Sequence, residues 1–190
     1  MIVVASLICG AAGAESGPEK LAVGALAPLF TLKALNSERV GTSTFSLRNY
    51  VGDSAKKKAR AIVLSFAASY CVPCKKELPE LKRLAPEFRA AGVEVAVIVI
   101  DTEPQGQAAM KKLCVDELDL PFFVLSDRYG ILARRYHADQ LPMTVVIDPA
   151  TRRIQWLNVG FQEDAVRRLE EVLGLSVTRA RSLRTPHSGR

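Results

Sequence analysis

This 190-residue chain has little histidine and tryptophan, with two of one and one of the other, and it has no long apolar run. No stretch approaches the roughly 18–20 apolar residues of a membrane helix, so the body of the chain is expected to be soluble. Four cysteines are too few for a miniprotein built on disulfides. Zinc is poorly served: a Cys-x-x-Cys half-site needs two further ligands, and only scattered Cys114 and His137 are on offer. Disorder is excluded for most of the chain by 48% hydrophobic content and near-balanced charge. What remains is one domain with a real core and short appendages, at the usual scale of roughly 100–200 residues per domain.

The net charge of +6 sits unevenly. Residues 176–190 carry Arg179, Arg181, Arg184 and Arg190 with no acid, and they show no apolar period. This stretch reads as a basic, disordered tail. The rest is close to neutral, whereas a nucleic-acid reader would carry its basic surface on the folded domain, so no nucleic-acid partner is expected. At the other end, residues 1–14 (MIVVASLICGAAGA) are uncharged, apolar and then small, and they end in Ala12-Gly13-Ala14. That ending resembles a leader cleavage site, although the positive n-region is missing. The stretch is read as a signal peptide or N-terminal anchor, which places the domain outside the cytoplasm, periplasmic or anchored facing the periplasm. Residues 15–27 read as a linker, and residues 28–175 as the domain.

Within the domain, 29–35 and 40–47 are short runs around Asn36-Ser37-Glu38-Arg39, an expected β-hairpin. The lysine-rich stretch 52–60 reads as an exposed loop. Ala61–Phe66 (AIVLSF) is a buried strand. Leu78, Leu81, Leu84 and Phe88 then mark one face of a helix over 72–91. Pro79 should kink that helix and Pro86 should break it. Val93–Ile100 (VEVAVIVI) is apolar on nearly every residue, as a strand covered on both faces would be. Helices are predicted over 104–118, 128–136 and 163–173, and strands over 122–125, 144–147 and 153–159. Strands alternating with helices imply βαβ units, with an antiparallel hairpin near the end.

Cys71-Val72-Pro73-Cys74 falls where a buried strand turns into a helix. Residues three apart on a helix have Cβ atoms about 5–6 Å apart. A disulfide wants about 3.8 Å, so one turn of helix passes between thiol and disulfide with little adjustment. At a helix N-terminus the unpaired amides and the macrodipole favour a thiolate, and Pro73 sits where no intrahelical donor is lost. These positions point to a nucleophile, Cys71, and a resolving thiol, Cys74, working through a mixed disulfide. An inert structural bridge is the other reading, though so short a loop constrains the unfolded chain least.

The run from Leu64 to Pro79 (LSFAASYCVPCKKELP) resembles the active-site strand and helix of thioredoxin-fold thiol–disulfide oxidoreductases of the TlpA/ResA-like type. Leu141-Pro142-Met143-Thr144 is similar to that family's cis-proline loop, and 93–123 to its extra βα element. The resemblance implies an α/β thioredoxin-like fold, with a central mixed sheet flanked by helices, an N-terminal β-hairpin and an inserted βα element. It implies catalytic Cys71 and Cys74, with Glu77 exchanging protons with the resolving thiol. It also implies that Tyr70, Val72, Pro73, Pro142 and Met143 line the face that meets substrate. No metal and no cofactor are called for. The partners it implies are protein disulfides, conceivably those of apocytochrome c, and a membrane electron donor; the chain is expected to be a monomer.

The chain departs from the family in three places. Ala67 and Tyr70 stand where Trp is common, Ser65 stands where plain thioredoxins bury an Asp, and the lysine-rich loop is longer. Ser65 cannot carry a proton as a carboxylate does, which places more weight on Glu77. A peroxiredoxin-like peroxidase shares the fold but needs Thr three residues before its cysteine, and Ala68 is there. A metal-handling module that uses the pair as ligands is the non-catalytic alternative. Cys114 and Trp156 are expected in the core, His137 at a helix end on the surface, and Lys75 and Lys76 in solvent.

Overall fold

The computed structural model describes residues 21–53 and 55–175. The leader-like stretch and the basic tail lie outside the described residues. Seven strands form one mixed sheet in the order β2-β1-β5-β4-β3-β6-β7. They are β1 (Thr31–Ala34), β2 (Thr44–Ser46), β3 (Ala61–Ala67), β4 (Val93–Val99), β5 (Phe123–Ser126), β6 (Met143–Ile147) and β7 (Ile154–Val159). β3, β4 and β5 run parallel, and the others pair antiparallel. This is the expected thioredoxin-like α/β architecture, with the N-terminal hairpin continuing the sheet beyond β5.

β3 is buried on every residue, as a run apolar at all positions but Ser65 and lying between two covered faces would be. On one face Val63, Val97 and Val99 pack under α2 (Val72–Arg83) and α6 (Ala165–Val172) with Leu78, Leu81 and Leu169. On the other, Phe30, Phe45, Tyr50, Phe66, Phe123 and Tyr136 form an aromatic layer. Within it Phe45 stacks on Tyr50 at 4.9 Å and meets Phe123 edge-on at the same separation. Residues 24–27, the end of the stretch read as a linker, are fastened to the start of β7: Gly24 N donates to Ile154 O and Ala27 N to Arg152 O.

Several local expectations shift by a turn. Between the hairpin strands lies one helical turn, α1 (Ser37–Val40), closed by Gly41 in the left-handed region. Its preceding residue Asn36 is buried, donates Nδ2 to Phe122 O at 2.8 Å and accepts from Val124 N at 3.1 Å. The helix over 72–91 continues through Pro79, which is exposed on its outer side. It breaks at Leu84, close to the break expected at Pro86, and Pro86 lies in the first turn of α3 (Ala85–Ala90), where its missing N–H leaves no bond unmade. The helix over 104–118 is α4 (Pro104–Lys111) followed by a π-helical segment, Lys112–Glu117, which turns Cys114 fully inward. α5 (Ile131–Tyr136) begins three residues later than expected, after Gly130.

Asn36 is the one side chain that fastens the hairpin turn to β5. Asn36→Ala removes two buried hydrogen bonds and leaves a strand N–H and C=O unpaired, so it is expected to destabilise the domain by about 2 kcal/mol. A denaturant midpoint within error of wild type would contradict that role.

Candidate active site

β3 ends at Ala67, and four residues later the chain enters α2 with Cys71 as its N-cap. The cap conformation is extended, and Cys71 Sγ accepts from Cys74 N at 3.1 Å. Pro73 lies in the first turn, as the sequence requires. Cys71 and Cys74 form a disulfide with Cα atoms 5.3 Å apart. Cys71 is 6% exposed and Cys74 1%, so an incoming group meets Cys71 first. Tyr70 and Val72 on either side are 71% and 63% exposed, an apolar rim around a nearly covered sulfur. Lys75 and Lys76 point to solvent.

The loop ahead of Cys71 is tied to the next strand. Asp101, just past β4 and buried, accepts from Ser69 N at 2.9 Å and from Ser69 Oγ at 2.6 Å. Gln107 Nε2 donates to Asp101 O at 2.6 Å. Gly106 lies so close to this carboxylate that a Cβ there would stand 2.2 Å from Asp101 Oδ1. The sequence reading passed over both residues. The available signal was an acid at the carboxyl end of a nearly all-apolar strand, with a glycine five residues on in a helix.

Beneath the disulfide the helix buries Cys74, Glu77, Leu78 and Leu81, positions i, i+3, i+4 and i+7 of one stripe. A carboxyl group therefore sits on the core face. Glu77 Oε1 accepts from Thr144 Oγ1 at 2.9 Å. Ser65, Thr144 and Asn158 are cross-strand neighbours on β3, β6 and β7, all buried. Their side chains share the face covered by α2, because strand partners point the same way. Burial pushes the Glu77 carboxyl up from its ordinary 4.5, and hydrogen bonds from Thr144 and Ser65 pull it part of the way back. The Cys114 thiol, buried among apolar side chains, is pushed up to about 12 and is inert.

Leu141–Pro142 is a cis peptide bond at the start of β6, beside β3 at the active-site end of the sheet. Leu141 packs against the cluster that contains both cysteines. Two details differ from the expected substrate face. Pro142 is buried and its carbonyl already accepts from Gly160 N at 2.9 Å. The backbone of Leu141 makes no hydrogen bond among the described residues. Met143 does not join the face with its side chain, which is 1% exposed and packs on the aromatic side of the sheet. Alternation along β6 sends it away from Thr144. His137 caps α5 at a left-handed position, and Trp156 is half-buried against the α2-side core. Among the described residues no three His, Cys, Asp or Glu side chains gather around one point, and no helix is long and apolar enough to cross a membrane.

A family model described as AhpC/TSA family matches residues 23–156. The chain is 28% identical over 178 residues to the thiol-disulfide oxidoreductase ResA of Bacillus thuringiensis subsp. konkukian, a match that covers 90% of this chain and 92% of that one. A putative thiol:disulfide interchange protein DsbE from Chlorobium tepidum superposes with a TM-score of 0.67 at 22% identity, covering 83% of this chain and 99% of that one. The peroxidoxin BcpB from Mycobacterium tuberculosis superposes at 0.61 and 20%, covering 87% and 99%. These two structural likenesses establish the fold alone.

The sign of the Glu77 effect on stability follows from its raised pKa. Between 4.5 and its higher folded value the native state holds a proton that the unfolded chain has lost, so stability falls as pH rises through that window. Glu77→Gln keeps the shape without the charge. It should melt higher than wild type at pH 8 and lose the wild-type decline between acid and neutral pH. A wild-type pH profile of melting temperature in Glu77→Gln would show that the buried carboxyl does not titrate in this way.

Proposed function

We propose that this chain, which belongs to the AhpC/TSA family, is an extracytoplasmic thiol–disulfide oxidoreductase that reduces protein disulfides through Cys71 and Cys74. The observation that carries the reading is the cysteine pair itself: joined across one helical turn, with the more exposed sulfur at the helix N-terminus. The likeness to proteins named thiol-disulfide oxidoreductase over most of both chains supports the reaction type. The leader-like residues 1–14 support export.

In the reductive direction the Cys71 thiolate attacks one sulfur of a substrate disulfide. A bond forms between Cys71 Sγ and that sulfur, and the other substrate sulfur leaves as a thiolate and takes a proton. Cys74 then gives up its proton and attacks Cys71 Sγ. The mixed disulfide breaks, the second substrate sulfur leaves, and the Cys71–Cys74 bond re-forms. Two electrons have passed from the pair to the substrate. A dithiol donor, here assigned to a membrane protein outside this chain, must return them. Glu77, one turn beyond Cys74 on the same buried stripe, is the group assigned to take and return the Cys74 proton, because burial holds its pKa above the usual carboxylate range. Tyr70, Val72 and the backbone of Leu141 receive the substrate chain around Cys71.

A peroxidase is the second reading, favoured by the family match and by the peroxidoxin-like fold. Ala68, three residues before Cys71, has no hydroxyl to polarise a peroxide, and the nearby Ser69 hydroxyl is committed to Asp101.

Cys71→Ser should reduce insulin-disulfide reduction by dithiothreitol to the uncatalysed rate. Cys74→Ser should accumulate a mixed disulfide with insulin that is visible on a non-reducing gel. Equilibration with glutathione should place the couple near thioredoxin's ~−270 mV, whereas a value near ~−120 mV would make it an oxidant. Wild-type turnover by Cys71→Ser, or peroxide consumption faster than insulin reduction, would overturn the proposal.

A further inference from the structure

A groove of about 860 Å3 opens at the same end of the sheet as the cysteines and takes no part in the chemistry above. Its walls include Leu32 from β1, Thr102 from the turn after β4, and Tyr129 and Ile131 at the start of α5. Tyr129 and Ile131 are 61% and 53% exposed, large apolar side chains held out to solvent. Lys33, Arg128 and Arg135 also line it. Among the described residues none of these three cations is in a salt bridge. The guanidinium of Arg128 lies 4.5 Å from the Tyr129 ring centre, and Arg135 Nη1 donates to Leu29 O at 2.7 Å. The one acid on the wall, Asp127, is buried and accepts from Ala133 N at 2.8 Å. An apolar floor is thus bordered by three exposed cations, against a single carboxylate, that of Asp127, which is buried and engaged with the Ala133 amide.

The groove is continuous with the frame that holds Cys71. Thr102 follows Asp101, whose carboxylate grips Ser69, and the wall residue Gln107 donates to Asp101 O. The groove lies at the carboxyl ends of β4 and β5, beside the carboxyl end of β3 that carries the active-site loop, on the edge where α/β sheets receive ligands.

We infer that this groove docks an acidic segment, bearing Leu or Phe side chains, of the protein whose disulfide reacts at Cys71. Arg and aromatic side chains at a patch centre are what protein interfaces select, and an uncompensated positive rim steers and orients an acidic partner. The inference rests on the proposed function for its partner, and its test does not use the cysteines.

The probe is a short, cysteine-free, fluorescein-labelled peptide alternating Asp or Glu with Leu or Phe, titrated against the full chain by anisotropy. A counterpart with Lys in place of the acids is the control. The acidic peptide should bind, with an affinity that falls as salt rises, and the Lys peptide should not. Lys33→Glu combined with Arg128→Glu, and separately Ile131→Asp, should each weaken binding by about tenfold or more, whereas Cys71→Ser should not. Absence of binding would overturn the inference, as would equal binding of the Lys peptide. So would binding lost in Val72→Asp but kept in the groove variants. Self-association, or sedimentation with phosphatidylglycerol vesicles, that the double variant abolishes would assign the groove to a second copy or a lipid surface and overturn it too. None of these results touches insulin reduction, so failure here is distinguishable from failure of the proposed function.

Discussion

The seating of Cys71 Sγ at the unpaired amides that begin α2, where it accepts from Cys74 N, is the constraint on which the proposed chemistry depends. A thiolate is stabilised only if Cys71 occupies the cap position itself, since the effect fades within one turn. The fold supplies that placement from two directions. β3 delivers the chain to the helix start from the centre of the sheet. The Asp101 carboxylate then grips both the amide and the hydroxyl of Ser69, two residues before Cys71. The bare backbone of Gly106 lets α4 lie against that carboxylate.

Polarity is arranged oppositely one turn further into the helix. Cys74 is almost wholly buried, and the next residue of its stripe that points inward is an acid. Ser65, Thr144 and Asn158 make a narrow polar seam across three strands in an otherwise apolar layer. A buried carboxyl with too few donors holds its proton more tightly than one in water. The proposed mechanism asks for one cysteine that is charged and another that stays neutral until a base takes its proton. A buried Glu77 beside Cys74 on the same stripe is in keeping with that proposal, at a core position where a leucine would pack with less penalty.

Much of this was legible in the residues. The strand and helix order and the cysteine pair at a helix start follow from patterns a few residues long, whereas the loop at Pro142 was legible through the family resemblance. Hydrophobic period, Pro position and Cys spacing are local properties. Glu77 was half legible: its i+3 place in the Cys74–Leu78–Leu81 stripe puts it on the core face, yet only the tertiary partner Thr144 shows what satisfies it. Asp101 was missed because its meaning lies in contact with Ser69, in a loop more than thirty residues earlier, and Gly106 because its meaning depends on that of Asp101. The continuation of α2 past Pro79 has the same cause. Pro79 faces solvent, where water can serve the carbonyl it leaves unpaired, so tertiary context overrides the local rule. Met143 shows the reverse error, since its nearness in sequence to the cis-proline loop hid the alternation that turns it to the other face.

The account therefore predicts unequal acidities in the reduced protein, and that inequality can be read directly. Iodoacetamide alkylation of each cysteine, followed by peptide mass spectrometry as a function of pH, reports the two thiol pKa values. Cys71 should titrate below the ~8.5 of a free thiol and Cys74 above it. A Cys71 value at or above ~8.5, or a Cys74 value below that of Cys71, would contradict the claim that the start of α2 makes Cys71 the nucleophile.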